Sequence, residues 1–314
     1  MIKALFTFDY YEENIKKIEE LGYEITYIKE ENAYYDENIK DTEILICYNP
    51  FSTLDISKLK KLKWIQVSSI GIDHVPKDIA LSSGITVTNN KGGYKIPIGE
   101  WIVMNILNLL KNVSFFYSNQ QQSRWRLNTK LLELYGKTVG FIGTGTIAME
   151  AAKRLKGFEV NILGVNTSGR QVQYFDCCYS MEHINKVLAD SDIVVLALPY
   201  TNETHQLIDE NMFSYMKDNV FFINIARGTI VDEKALIKNL QSGKIAGAAL
   251  DVFEEEPLPK SSPLWHMDNV MLTPHNSWAS EAGNERRTEL IYENLKRYAE
   301  NQSLVNITDI TKGY

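Results

Sequence analysis

The sequence predicts an α/β protein in which parallel β-sheets are covered by helices on their faces. Two observations predict this fold class. Strand-like apolar runs alternate with helical segments over the first hundred residues, and a second alternating series begins at Lys137. Such alternation is typical of parallel sheets, because a helix usually connects one parallel strand to the next. The length of 314 residues predicts about two domains.

The first series contains five strand-like runs and one clear amphipathic helix. That helix, residues 12–21, places charged side chains opposite Ile15 and Ile18, so one face is expected to be buried. A long helix is predicted from about residue 98 to about residue 118, and its apolar part is too short to span a bilayer. The predicted strands are residues 2–8, 24–28, 43–48, 62–68 and 85–88.

The second series contains six strand-like runs and ends in a helix over residues 285–300. Two runs, residues 193–198 and 220–225, are apolar without interruption. This is typical of central parallel strands, which are buried on both faces. The predicted strands are residues 138–142, 160–165, 193–197, 220–224, 247–250 and 270–272.

The glycine turn after the first of these strands predicts a dinucleotide site. Residues 138–142 are followed by Gly143 and Gly145, and a helical pattern then runs over residues 147–155. The first glycine permits a tight turn, the second lets backbone approach a pyrophosphate, and the helix N-terminus offers free N–H groups. Taken alone, the motif also fits an ordinary strand-to-helix turn. The predicted cofactor contacts here are Gly143, Thr144, Gly145, Thr146 and Ile147.

Composition narrows the range of partners. A net charge of −7 argues against nucleic acid, whose binding requires a basic face. With 44% hydrophobic and 23% charged residues, the composition is that of an ordinary soluble protein, and residues 1–8 lack the features of a signal peptide. The three cysteines, two of them adjacent, suit neither a disulfide framework nor metal binding. We therefore expect a cytoplasmic protein with no metal and no nucleic-acid or membrane partner.

Four further motifs, together with the glycine turn, make nearly the whole chain resemble the D-isomer-specific 2-hydroxyacid dehydrogenases. In order they are Leu198-Pro-Tyr-Thr-Asn-Glu-Thr204, Asn224-Ile-Ala-Arg-Gly228, Ala249-Leu-Asp-Val-Phe-Glu-Glu-Glu-Pro257 and Leu272-Thr-Pro-His275. The resemblance implies two Rossmann-like, doubly wound parallel-sheet domains with a cleft between them for the active site. It implies a dinucleotide-binding domain, residues 99–283, inserted into a substrate (catalytic) domain made of residues 1–98 and 284–314. It also implies cofactor contacts at Pro199, Thr204 and Ala226.

Three residues are predicted to perform the chemistry. Arg227 follows an apolar strand, at the end where parallel sheets bind ligands, and its guanidinium can hold the carboxylate of a 2-oxo acid through two parallel hydrogen bonds. His275 also follows a strand, and imidazole can give a proton in reduction and take one in oxidation near neutral pH. The resemblance selects Glu256 as the partner that stabilises the imidazolium. Formate dehydrogenases of the family have Gln in this role, so Glu256 favours a 2-hydroxyacid substrate.

A glycine-containing loop and two aromatic residues are predicted to complete the substrate site. Residues 67–73 match the family's substrate-carboxylate loop, where backbone N–H groups around Ser69, Ile70 and Gly71 could bind an anion. Tyr94 and Trp278 are expected to shape the pocket for the substrate side chain, although such aromatics are more often core residues.

The cofactor is predicted to be NADP(H) in preference to NAD(H). NAD-selective folds place Asp or Glu at the end of the second strand, about 20 residues after the glycine motif, where it binds the ribose 2′-OH. Here Asn166 stands at that place, and Thr167, Ser168 and Arg170 offer hydroxyl donors and a guanidinium to a 2′-phosphate. A polar turn that accepts either cofactor is the alternative. Asp251, by resemblance, approaches the nicotinamide side of the cofactor, and a role in capping its own loop is also open.

The predicted function is hydride transfer between NAD(P)H and a small 2-oxo acid, or the matching (R)-2-hydroxy acid, of the glyoxylate or hydroxypyruvate type. Two alternatives are left open: a non-enzymatic, nucleotide-sensing binding protein of the same family, and a phosphoglycerate dehydrogenase that lacks a regulatory domain. The resemblance also implies a homodimer, with the helix at residues 98–118 and the region of Trp125 at the interface.

Overall fold

The computed structural model describes residues 1–10 and 12–313, apart from the side chains of Glu12 and Glu13. The chain divides into two compact units. Unit 1 comprises Met1–Tyr94 and Ser280–Tyr314, and unit 2 comprises Lys95–Ala279. Both boundaries lie four residues before the predicted ones, because a helix begins close to each of them, at Lys95 and at Glu281.

Unit 1 contains a five-stranded parallel sheet. The strands are β1 (Ile2–Phe6), β2 (Tyr23–Tyr27), β3 (Ile44–Cys47), β4 (Trp64–Val67) and β5 (Thr86–Thr88). Their order in the sheet is β2-β1-β3-β4-β5. The helices are α1 (Glu12–Glu19), α2 (Lys77–Ser82) and a C-terminal helix (Glu281–Ala299).

Both faces of this sheet are buried, which explains the nearly continuous apolar runs in its strands. Leu5 of β1 belongs to the core on one face, whereas Phe6 belongs to the core on the other. The second core also contains Ile291 and Leu295 of the C-terminal helix. The last part of the chain therefore completes the packing of the first.

Unit 2 contains a seven-stranded parallel sheet. The strands are β6 (Thr138–Ile142), β7 (Asn161–Asn166), β8 (Cys177–Ser180), β9 (Ile193–Leu196), β10 (Val220–Asn224), β11 (Ile245–Leu250) and β12 (Val270–Leu272). Their order in the sheet is β12-β11-β10-β9-β6-β7-β8. Because β6 pairs with both β7 and β9, the strand order reverses beside β6, and ligands of such sheets bind at the carboxyl ends of the strands there. The helices are α3 (Lys95–Leu110), α4 (Val113–Gln121), α5 (Thr146–Leu155), α6 (Ile184–Asp190), α7 (Glu210–Tyr215) and α8 (Glu233–Ser242).

The predicted fold class is confirmed, and every predicted strand forms with ends that differ by no more than two residues. The single helix predicted over residues 98–118 is wrong. It is two helices, α3 and α4, because Asn112 between them adopts a left-handed conformation with φ of 48°. No helix in residues 1–10 and 12–313 is both long and apolar enough to cross a membrane.

Two further elements differ from the prediction. The edge strand β8 was not predicted, and the C-terminal helix begins at Glu281 rather than at residue 285. The strand consists of Cys177–Ser180 and lacks the apolar run that identifies the central strands.

Candidate active site

The predicted proton donor and its partner lie in contact in unit 2. His275 follows β12 and Glu256 lies in the loop after β11, and Nδ1 of the imidazole is 2.8 Å from Oε2 of the carboxylate. The other carboxylate oxygen accepts a hydrogen bond of 3.0 Å from the N–H of Phe253. Burial raises the pKa of Glu256, but these two hydrogen bonds and the charges of His275 and Arg227 outweigh burial, so the pKa lies below its usual range. Glu256 is therefore ready to support a protonated imidazole.

The backbone of His275 is fixed in an unusual conformation. Its φ is 50°, in the left-handed region that residues other than glycine and asparagine rarely adopt. Its N–H donates to the carbonyl of Asp251 at 2.8 Å, and its own carbonyl accepts from the indole N–H of Trp278 at 2.8 Å. These contacts offset the backbone strain and fix the direction in which the imidazole leaves the chain.

Asp251 caps the loop that carries His275. The residue is 1% exposed, and its carboxylate accepts hydrogen bonds from the hydroxyl of Thr273 at 2.6 Å and from the N–H groups of Asn276 and Ser277 at 3.0 and 3.1 Å. Both oxygens are thus occupied by the loop. This is the capping role that the sequence left open, and the contact with the cofactor stays a prediction.

Arg227 lies three residues after the end of β10, beside the loop that carries Glu256. The buried side chain of Asn224 fixes its backbone, since the amide oxygen accepts from Ala226 N–H at 3.0 Å and the amide nitrogen donates to the Arg227 carbonyl at 3.1 Å. The next residue must be glycine, because a Cβ on Gly228 would lie 1.8 Å from the carbonyl carbon of Phe253. The loops that carry the cation and the carboxylate are therefore in direct backbone contact.

The glycine turn between β6 and α5 has the geometry of an anion site. Gly143 has φ of 101°, and a Cβ there would lie 2.4 Å from the carbonyl oxygen of Ala197, so this glycine serves the turn itself. A Cβ on Gly145 would meet nothing within 4 Å. The first hydrogen bond of the helix runs from Met149 N–H to the Gly145 carbonyl at 2.9 Å, which leaves the preceding N–H groups without partners in the helix. The open space at Gly145 fits a phosphate that approaches the backbone.

In unit 1 the predicted substrate loop lies at the carboxyl end of β4. Ser69, Ile70 and Gly71 are partly exposed, and their N–H groups donate to no acceptor within residues 1–10 and 12–313. Tyr94 is 7% exposed, and its hydroxyl donates to the carbonyl of Ser68 at 2.6 Å. Tyr94 therefore supports the start of the loop through the Ser68 carbonyl.

Comparison with known proteins decides the family. The profile described as "D-isomer specific 2-hydroxyacid dehydrogenase, NAD binding domain" matches residues 103–277. The chain belongs to this family. It is therefore an oxidoreductase of the class that acts on the CH–OH group of 2-hydroxy acids, and it contains an NAD-binding domain.

Individual relatives agree with this assignment. The chain is 34% identical to D-3-phosphoglycerate dehydrogenase of Methanocaldococcus jannaschii over 99% of its own length, and it spans 60% of that relative. It is 37% identical to glyoxylate reductase of Thermofilum pendens, over 82% of this chain and 78% of the relative. A solved structure of a family member from Xanthobacter autotrophicus Py2, in complex with NADPH and MES, is 25% identical and superposes with a TM-score of 0.82 over 99% of both chains.

In the present chain, residues 166–170, which are predicted to discriminate between NADP(H) and NAD(H), form a hydrogen-bonded turn. The amide nitrogen of Asn166 donates to the Thr144 hydroxyl at 3.1 Å and to the Arg170 carbonyl at 2.9 Å. The amide oxygen accepts from the N–H groups of Ser168 and Arg170 at 3.3 and 3.1 Å. Asn166 thus shapes the turn, while Thr167, Ser168 and Arg170 are exposed.

The remaining predicted cofactor residues lie near the carboxyl ends of β9, β10 and β6. Pro199 is exposed, and its carbonyl accepts from the Thr204 hydroxyl at 2.9 Å, which closes the loop between them. Ala226 is buried, whereas Thr146 and Ile147 at the start of α5 are partly exposed. Thr144 is 5% exposed and contacts Asn166, so its side chain supports the turn rather than facing solvent.

Sequence reasoning missed Asn224, Gly228 and Asn89 as residues that shape the site. Asn224 and Gly228 stand inside a motif that was recognised, so the signal for them was present. Asn89 belongs to no motif, and its contact with the substrate loop became visible only in the fold.

Proposed function

We propose that the protein reduces a small 2-oxo acid of the glyoxylate or hydroxypyruvate type to the corresponding 2-hydroxy acid, with NADPH as the preferred reductant. The observation that supports this most is the 2.8 Å contact between His275 and Glu256, with the charge of Arg227 close enough to lower the Glu256 pKa. This combination provides a proton donor, a carboxylate that stabilises it and a cation for the substrate carboxylate.

The roles follow from the chemistry of each group. Arg227 offers a cation to the substrate carboxylate and orients the carbonyl, and in unit 1 the N–H groups of Ile70 and Gly71 offer an anion site. His275 donates a proton to the carbonyl oxygen as negative charge develops there, and Glu256 stabilises the imidazolium before the transfer. NAD(P)H, when bound, supplies the hydride to the carbonyl carbon. In the reverse direction His275 takes the proton from the 2-hydroxyl group.

Preference for NADP(H) rests on the turn at Asn166. An Asp there would place a carboxylate against the Arg170 carbonyl and would repel a 2′-phosphate, whereas Asn166 donates to that carbonyl at 2.9 Å. The exposed Thr167, Ser168 and Arg170 present two hydroxyls and a guanidinium beside it. The structural relative in complex with NADPH supports the same choice.

A homodimer and a cytoplasmic location complete the proposal. Large apolar side chains near α4 are exposed in one chain, most of all Trp125 at 98% and Leu127 at 80%. Such exposure is typical of an interface, and a second copy of the chain would cover it. Light scattering should give about twice the chain mass of 36.0 kDa, and a value equal to one chain would contradict the dimer.

The domain roles are also proposals: unit 2 binds the dinucleotide, and unit 1 supplies the substrate loop. Neither alternative left open by the sequence is favoured. Relatives named glyoxylate reductase match most of the chain, and the residues expected of an enzyme, Arg227, Glu256 and His275, lie together in unit 2.

A substrate and cofactor panel tests the proposal. The purified protein is mixed with glyoxylate, hydroxypyruvate, pyruvate or 3-phosphohydroxypyruvate, and the loss of NADPH or NADH absorbance is followed. We expect the highest kcat/KM for one of the first two acids with NADPH, and a smaller NADPH-to-NADH ratio in Arg170→Ala. Higher activity with NADH, or an unchanged ratio in the variant, would contradict the cofactor preference. Absence of reduction with all four acids would contradict the substrate class.

A further inference from the structure

The backbone carbonyls of residues 68–71 in unit 1 are all occupied by hydrogen bonds. The carbonyl of Ser68 accepts from the Tyr94 hydroxyl at 2.6 Å, and that of Gly71 accepts from the Ser69 hydroxyl at 2.8 Å. Two consecutive asparagines donate to the remaining two carbonyls, those of Ser69 and Ile70. Asn90 N–H donates to the Ser69 carbonyl at 2.8 Å, and the Asn89 side-chain amide donates to the Ile70 carbonyl at 2.7 Å.

With its carbonyls bound in this way, the loop is left with backbone N–H groups that have no acceptor among the described residues. The N–H groups of Ser69, Ile70 and Gly71 have no acceptor in the described part of the chain, although all four carbonyls nearby are bound. A loop with its carbonyls occupied by the protein and its N–H groups unoccupied is prepared to bind an anion without first rearranging.

We propose that Asn89 is a positioning residue for substrate binding: it holds the Ile70 carbonyl so that the adjacent N–H groups are presented to the substrate carboxylate. Asn89 does not touch the substrate and acts through the loop. The inference deepens the proposed function and rests on it, because it requires that the loop bind the carboxylate of a 2-oxo acid.

Asn89 is itself fixed by the C-terminal segment, residues 303–308. Its N–H donates to the Asn306 carbonyl at 3.2 Å, and its carbonyl accepts from the Asn306 side-chain amide at 3.4 Å. The same amide donates to the Lys91 carbonyl at 2.9 Å. Asn306 has φ of 57°, a left-handed conformation that asparagine tolerates better than most residues.

The C-terminal helix anchors that segment through a buried amide. Asn294 is fully buried, and it accepts from Val305 N–H at 2.8 Å and donates to the Val305 carbonyl at 3.1 Å. Its amide also donates to the side chain of Gln66 in β4 at 2.8 Å. Hydrogen bonds from Asn294 to Val305, from its chain neighbour Asn306 to Asn89, and from Asn89 to Ile70 therefore link the C-terminal helix to the substrate loop.

Two variants and one matched control test this role. Asn89→Ala removes the donor to Ile70. Asn306→Gly removes the side chain that fixes Asn89 but keeps a residue that adopts positive φ without strain. Thr308→Val is the control, because the Thr308 hydroxyl donates to the Val87 carbonyl at 3.0 Å in the same segment and, within the described part of the chain, makes no hydrogen bond to residues 68–71.

The measurement distinguishes substrate binding from cofactor binding and turnover: KM and Ki for the substrate site are compared with kcat and with KM for NADPH. For Asn89→Ala we expect KM for glyoxylate and Ki for oxamate to rise about three- to tenfold, the usual effect of losing one hydrogen bond, with kcat and KM for NADPH changed less than about twofold. Asn306→Gly should act in the same direction with a smaller size. The double variant should be no worse than Asn89→Ala alone, because both changes act on one contact.

Each outcome decides the proposal. If Asn89→Ala and Asn306→Gly lower the melting temperature as Thr308→Val does and leave KM for glyoxylate unchanged, the residues serve the fold alone and the positioning role is overturned. An equal rise in KM for NADPH would overturn it as well. If Asn89→Ala does not fold, Asn306→Gly alone decides. Wild-type protein that reduces no 2-oxo acid would overturn the proposed function, and this inference with it.

Discussion

Replacing Glu256 with Gln should move the pH dependence of catalysis and leave its plateau largely in place. Glu256 and His275 are separated by 2.8 Å, and the carboxylate favours the protonated imidazole. Reduction needs protonated His275, so its rate falls as the pH rises and the proton is lost. Oxidation needs the neutral ring, so its rate falls as the pH drops. Without the carboxylate, both limbs should shift toward lower pH.

The size of the shift follows from the geometry. Two unit charges about 4 Å apart interact by about 1 kcal/mol in water and about 4 kcal/mol at an effective dielectric constant of about 20. The side chains of His275 and Glu256 are 35% and 37% exposed, so solvent screening places the interaction near the lower end, at about 1–2 kcal/mol. This interaction is what Glu256→Gln removes, and its sign moves both limbs toward lower pH.

The assay is kcat/KM against pH in both directions for the wild type, Glu256→Gln and Glu255→Gln. Glu255 is the adjacent, exposed carboxylate, so its variant makes the same change in charge without the contact to His275. We expect a shift in Glu256→Gln alone. A profile that does not move in Glu256→Gln would refute the pairing, and an equal shift in both variants would attribute the effect to net charge.

Three further predictions concern the other parts of the site. His275→Asn, which tolerates the backbone φ of 50°, should lower turnover by roughly 10²–10⁴-fold while NADPH binding measured by fluorescence is unchanged, and unchanged turnover would remove His275 from the mechanism. Arg227→Lys keeps the charge but loses the paired hydrogen bonds, so KM for the 2-oxo acid should rise and kcat should fall; wild-type kinetics would mean that another group binds the carboxylate. Gly145→Ala should weaken NADPH binding at an unchanged melting temperature. Gly143→Ala should lower the melting temperature, because its Cβ would lie 2.4 Å from the Ala197 carbonyl oxygen. Equal behaviour of the two variants would refute this distinction.

The strands could be predicted because the sheets are parallel and buried on both faces. β9 and β10 are buried at every residue, so their apolar runs are long and uninterrupted. β8 reads Cys-Cys-Tyr-Ser (Cys177–Ser180) and contains no run of branched apolar side chains, so its sequence carries no such signal. The break between α3 and α4 was missed because it depends on one left-handed residue, Asn112, and a single asparagine predicts no such conformation.

The site was predictable where reactive residue types follow an apolar run. Arg227 comes soon after the run at residues 220–225 and His275 soon after the run at residues 270–272, so their residue types carried a signal of their own. The contact of His275 with Glu256 could not be derived from spacing and came from the resemblance alone. The contact between Asn89 and Asn306 joins residues 217 positions apart, and no local pattern predicts a pairing over that separation.

The contact at Gly228 has a consequence for how the site responds to its surroundings. Because no atom fits between Gly228 and the backbone of Phe253, the approach of the Arg227 and Glu256 loops is limited by hard-sphere repulsion. Repulsion of this kind depends neither on salt nor on the ordering of water, unlike the ion pairs and hydrogen bonds around it. The spacing between guanidinium and carboxylate loops should therefore be the least variable dimension of the site as temperature and ionic strength change. Any substitution of Gly228 would enlarge that spacing directly.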